Sequence, residues 1–82
     1  MLFYVYILYA EKFDKFYVGQ TNNISDRLKR HNSGTEKATK PFIPWKIFWV
    51  TSKETRSDAM NLEKKLKNLS KERIKSFVEK YS

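Results

Sequence analysis

Eighty-two residues carry 17 Lys and Arg against nine Asp and Glu, a formal net charge of +8, and no cysteine. That length allows one domain, residues 1–82, near the lower limit of what buries a core unaided, and the missing thiols exclude disulfides and thiolate metal sites. With 40% hydrophobic and 16% aromatic residues a core can be built, while the positive excess favours polyanionic partners, nucleic acid first and an anionic membrane surface second.

Leu2 to Tyr9 is rich in β-branched and aromatic residues and reads as a strand buried on both faces. The run is too short to span a bilayer, has no basic leader or small-residue cleavage site, and meets charge at Glu11 and Lys12, so a cytoplasmic protein is expected. Ala10 to Lys15 reads as a polar turn around Phe13. Phe16-Tyr17-Val18 resumes strand character and is expected to end at Gly19, where backbone freedom or close approach is useful. Two strands with so short a connection predict an antiparallel hairpin. Thr21-Asn22-Asn23 supplies N-caps for a helix from about Ile24 to Asn32, closed by Ser33-Gly34, with Ile24, Leu28 and His31 on its inner stripe.

Thr35 to Pro44 holds both prolines and no apolar period, which predicts a loop. Trp45 to Thr51 is a third strand whose Trp45, Ile47 and Trp49 alternate with Lys46 and Phe48, predicting one well-buried face. Ser57 is the expected cap of a helix from Asp58 to about Asn68, with Ala59, Leu62, Leu66 and Leu69 inward. Ser70 is the expected cap of a last helix bearing Ile74, Phe77, Val78 and Tyr81. The order is β-β-α-β-α-α, an α+β arrangement of a three-stranded sheet with helices packed against it.

Few chemistries remain open. The sequence has no paired-carboxylate cluster, no CxxC, no HExxH, one histidine and two glycines. Tyr6 and Tyr17 fall on adjacent strands where their side chains can lie side by side; a phenol can be activated by neighbouring cations, and tyrosine equally suits strand packing. Arg27 and His31 share one helical face. A guanidinium there can grip a phosphate and an imidazole can exchange a proton near neutral pH; pairing with Asp26 or solvent and a half-buried packing role are the plain alternatives. Glu63 flanks the apolar stripe of its helix. It suits Mg2+ or Mn2+ retaining several waters, or an i,i+4 pair with Lys67.

Tyr4-Val5-Tyr6, Tyr17-Val18-Gly19, the Arg27 and His31 segment and Glu63, in that order from Phe3 to about Phe77, resemble the GIY-YIG nuclease superfamily. The similarity is greatest to small bacterial members related to the N-terminal catalytic domain of the excision-repair incision subunit. The resemblance implies a three-stranded antiparallel sheet flanked by helices, and it implies roles. Tyr17 matches the tyrosine that acts as general base or passes a proton through water. Arg27 matches the arginine that steadies the phosphate, and Glu63 the sole protein ligand of one Mg2+ or Mn2+ ion. Tyr6 helps position the nucleophile, and His31 takes the place of a His or Tyr in the same hydrogen-bonding network. A phenol of pKa about 10 is a poor base at neutral pH, so such a site calls for nearby cations, Arg27 and the metal ion. Tyr4 stands where the motif name has glycine, and Gln20 where the repair enzymes carry lysine.

Two functions follow. One is a metal-dependent endonuclease hydrolysing phosphodiester bonds in DNA, in repair or recombination, with a partner protein expected to supply specificity. The other is a nucleic-acid-binding module of the same fold that cuts poorly or not at all. RNA binding by stacking on Phe42, Trp45 and Trp49 is a third reading, but core packing explains those aromatics better.

Overall fold

Backbone pairing organises the chain around its first strand. The computed structural model describes residues 2–81. Strands β1 (Phe3–Ala10) and β2 (Lys15–Thr21) are followed by α1 (Ile24–Ser33), β3 (Lys46–Lys53), α2 (Arg56–Lys67) and α3 (Lys71–Tyr81), with short 3₁₀ turns at Glu11–Phe13 and Lys40–Phe42. The sheet order is β2-β1-β3 and both pairings are antiparallel, which is the α+β architecture expected. Val5, Tyr6, Ile7 and Leu8 are all buried, because β1 is central and both of its faces are covered.

Side chains alternate across a strand, so β1 feeds two cores. On one face Val5, Ile7 and Val18 pack with Ala59 and Leu66 of α2 and Ile74 of α3, joined by half-buried Phe16, Phe48, Leu62 and Phe77. On the other, Tyr6, Leu8 and Ala10 pack with Trp45, Tyr17, Ile24, Leu28, Phe42 and Ile43. The second core is the one that positions the polar residues of interest.

Several local details depart from the sequence reading. Gly19 does not end β2; it sits mid-strand opposite Tyr6, and pairing continues to Thr21 opposite Tyr4. Helix α2 starts two residues early because Thr55, not Ser57, is its cap, its side chain accepting from the Asp58 backbone N–H at 3.1 Å. Asn23 and Ser70 do cap α1 and α3, accepting from the N–H groups of Asp26 and Arg73, and Gly34 closes α1 at φ +83°, where glycine carries no side-chain penalty.

The third strand breaks its expected alternation. Ile7 pairs with Trp49 while Leu8 pairs with Ile47, leaving Phe48 as the extra residue of a bulge. Trp45 therefore packs on the α1 face and Trp49 on the α2/α3 face, and Ile47 is 39% exposed. Residues 35–44 are mainly irregular, as expected, and are tied down at their end by Asn32. Its amide donates to the Trp45 carbonyl at 2.9 Å and accepts from the Trp45 N–H at 2.6 Å, while the indole N–H donates to the Thr39 carbonyl at 2.8 Å.

Asn32→Ala would leave both backbone groups of Trp45 without that partner. It is expected to lower the unfolding free energy by about 1–3 kcal/mol, read as a reduced urea midpoint. An unchanged midpoint would show that the clamp contributes nothing.

Candidate active site

Tyr6 lies across β2 because its neighbour there is Gly19. A Cβ at Gly19 would collide with the Tyr6 hydroxyl and the ring carbon bearing it, so glycine is required for this approach. The Tyr6 hydroxyl is 3.0 Å from His31 Nε2, and His31 Nδ1 is 2.9 Å from Thr39 Oγ1. Thr39 Oγ1 in turn reaches the Glu36 carbonyl at 3.5 Å. One order of protons satisfies every group: Tyr6 donates to Nε2, Nδ1–H donates to Thr39, and Thr39 donates to the carbonyl.

All three side chains in this relay are buried. Burial, reinforced by the Arg27 charge, holds the His31 imidazole below its ordinary value. Burial also pushes the Tyr6 phenol up to about 12; Arg27 opposes that rise, and Tyr17, Glu63 and Glu36 add to it. Near neutral pH both groups are therefore uncharged. Tyr6 is a fixed hydrogen-bond donor, and His31 is more deeply buried than the sequence suggested.

Tyr17 pairs with Leu8 in the sheet and so shares the Tyr6 face. Its ring meets His31 edge-on at 5.0 Å and Trp45 at 6.2 Å. The ring is half-buried, and its hydroxyl has no hydrogen-bond partner among the described residues. Arg27 does not pair with Asp26. Its Nε is buried without a partner, and the side chain lines a cavity of about 400 Å³ together with Phe3, Gln20, Thr21, Asn22 and Arg56.

Glu63 approaches from α2, which packs on the opposite face of the sheet. Its side chain is 19% exposed; Oε1 accepts from the Gln20 amide at 3.1 Å and Oε2 faces Lys67 at 3.4 Å. Tyr6 and Tyr17 thus both meet His31. Arg27 joins them electrostatically, and Glu63 is connected through Gln20, which also lines the Arg27 cavity. The edge strand β2 is where the two sets meet.

Among the described residues no three His, Cys, Asp or Glu side chains gather into a metal cluster. An ion beside Glu63 would have one carboxylate, the Gln20 amide oxygen if that amide turns over, and water. Such a hard oxygen set fits Mg2+ or Mn2+. The competing Lys67 is 53% exposed, and surface pairs of that kind are weak.

Some of this was not legible beforehand. Thr39 sits in a segment without periodicity, and only the fold shows it holding His31. Arg56 lies before the expected cap Ser57, outside the helix expected from Asp58. Gln20 had a signal, its place directly after Gly19, but not its bond to Glu63.

The chain resembles known proteins over most of its length. The model of the GIY-YIG catalytic domain matches residues 2–77. A UPF0213 protein of Bacillus licheniformis is 35% identical over 77 residues, which is 93% of this chain and 78% of that protein. The UPF0213 protein YazA of Bacillus subtilis is 32% identical over 69 residues, 83% of this chain and 70% of its own. The solution NMR structure of a UPF0213 protein of Bacillus halodurans aligns at TM-score 0.62 and 30% identity, over 96% of this chain and 84% of that one.

The buried His31 gives a pH dependence of known sign. Its folded value lies below the unfolded value of about 6.5, so its contribution is intact above that pH and is lost as pH falls through the lowered folded value. The thermal midpoint is expected to drop on acidification below about pH 6.5, and to drop less over that window in His31→Gln. An equal drop in both proteins would remove His31 as the cause.

Proposed function

The chain belongs to the GIY-YIG family, and on that premise we propose that it is a divalent-metal-dependent endonuclease hydrolysing phosphodiester bonds in DNA. The observation that carries this reading is the Arg27 Nε, buried and left without a protein partner while the Arg27 side chain lines a polar cavity at the end of β2. A buried donor of that kind costs stability unless a ligand supplies the acceptor.

Each side chain has a task under this proposal. Arg27 binds the non-bridging oxygens of the scissile phosphate and balances charge that grows in the transition state. Tyr17 takes or relays the proton of the attacking water. Tyr6 donates toward His31 and keeps the floor of the site neutral, so the positive field of Arg27 is not cancelled from below. His31, locked by Thr39, fixes the rings of Tyr6 and Tyr17. Glu63, steered by Gln20, holds the Mg2+ or Mn2+ ion, which when bound polarises the phosphate and stabilises the leaving oxygen.

The formal charge of +8 suits a nucleic-acid substrate, and no helix among the described residues is long and apolar enough to cross a membrane. Repair or recombination is the process class proposed, in the cytoplasm, with a partner protein lending specificity. One observation favours the alternative, a binding module that does not cut: both Glu63 oxygens already face protein groups, Gln20 and Lys67.

Nicking of supercoiled, branched and single-stranded DNA with Mg2+ or Mn2+ separates the two. The wild type is expected to cut, and Tyr17→Phe and Glu63→Ala are each expected to lose about 100-fold or more in rate. Cutting that survives both substitutions would remove the assigned roles. Salt-sensitive binding without cutting on any substrate would select the binding module.

A further inference from the structure

A second guanidinium stands at the cavity beside Arg27. Arg56, the first residue of α2, lines the same space of about 400 Å³, which Gln20, Thr21 and Asn22 approach from the end of β2. Neither arginine forms an ion pair among the described residues. Two larger clefts, of about 500 and 470 Å³, differ in this respect. Each is lined by a carboxylate, Glu11 pairing with Lys46 at 3.3 Å and Asp14 with Lys71 at 3.0 Å, beside an unpaired Lys12 or Lys15, whereas among the described residues no carboxylate lines the Arg27 cavity.

Two like charges facing one polar cavity repel each other, and Glu63, the carboxylate connected to it through Gln20, is held by Gln20 and Lys67 and does not line the cavity. An anion entering the cavity reverses the sign of that energy. A single phosphodiester carries one negative charge and Arg27 alone matches it. Two guanidiniums call for two successive phosphates.

We propose that Arg56 is a substrate-positioning residue that binds the phosphate next to the one held by Arg27, so that the backbone of the cut strand runs through this cavity. The proposal rests on the nuclease reading for what happens at Arg27, but the contact at Arg56 is a binding contact and can be measured without cleavage. Arg56 is exposed and leaves the Thr55 cap of α2 untouched, so its replacement is not expected to disturb folding.

The test is binding of a fluorescein-labelled DNA duplex without divalent ions, followed across salt concentrations, for wild type, Arg56→Gln, Arg56→Lys and Lys80→Gln. Losing one phosphate contact should flatten the slope of log K against log salt by about one unit in Arg56→Gln. Arg56→Lys should keep the wild-type slope, and so should Lys80→Gln, whose side chain lies outside the cavity. In the nicking reaction Arg56→Gln should raise KM about tenfold with kcat nearly unchanged.

An unchanged slope in Arg56→Gln would overturn the proposal. So would the same flattening in Lys80→Gln, which would mean a diffuse field, or a loss of kcat at constant KM, which would place Arg56 in the chemistry. If the wild type never cuts while Arg56→Gln alone flattens the slope, the phosphate contact stands and the nuclease reading falls.

Discussion

An imidazole with no exposure to solvent ties the second core to the sheet. His31 accepts from Tyr6 on β1 and donates to Thr39 in the segment before β3, while Tyr17 on β2 rests against its ring. A buried polar ring is tolerable only when both nitrogens are bonded, and here both are, by Tyr6 from the first strand and by Thr39 from the segment after α1. Gly19 makes the arrangement possible by yielding the space that the Tyr6 phenol occupies. Without that space Tyr6 could not lie beside Gly19, and the relay to His31 and Thr39 would lose its first member.

The relay separates two electrical environments. Beneath, Tyr6 and His31 are both held neutral near pH 7 by burial. Arg27 and Arg56 line the cavity at the end of β2, both free of ion pairs among the described residues, and Glu63 is connected to it through Gln20. Under the proposed function an anion would meet unpaired guanidiniums beside uncharged buried groups, where charges act more strongly than they would in water. The edge strand β2 makes the junction, sending Tyr17 to one face and Gln20 to the other.

Much of the framework was visible in the sequence because it is set locally. Strand composition, the caps Asn23 and Ser70 and the closing Gly34 mark elements whose signals lie within a few residues. What escaped was non-local. The bulge at Phe48 has no glycine or proline to announce it, so the alternation of Trp45, Ile47 and Trp49 suggested one face where the structure has two. Thr39 and Asn32 act through bonds to residues elsewhere in the fold, which periodicity cannot reveal. Thr55 and Ser57 are both competent caps, and only the geometry chooses. For Glu63 the Lys67 pair expected as one of its two readings is present, and the carboxylate also accepts from the Gln20 amide, a bond that no sequence signal announced.

The chain belongs to the GIY-YIG family, and for the function proposed for it the decisive question is where a divalent ion would settle. Paramagnetic broadening of NMR signals by Mn2+ answers it without requiring turnover. The Gln20 side-chain amide and the backbone amides around Glu63 should broaden first, and Glu63→Gln should abolish the effect. Broadening centred on Glu11 or Asp14 that survives Glu63→Gln would contradict a metal site linked through Gln20 to Arg27 and Tyr17.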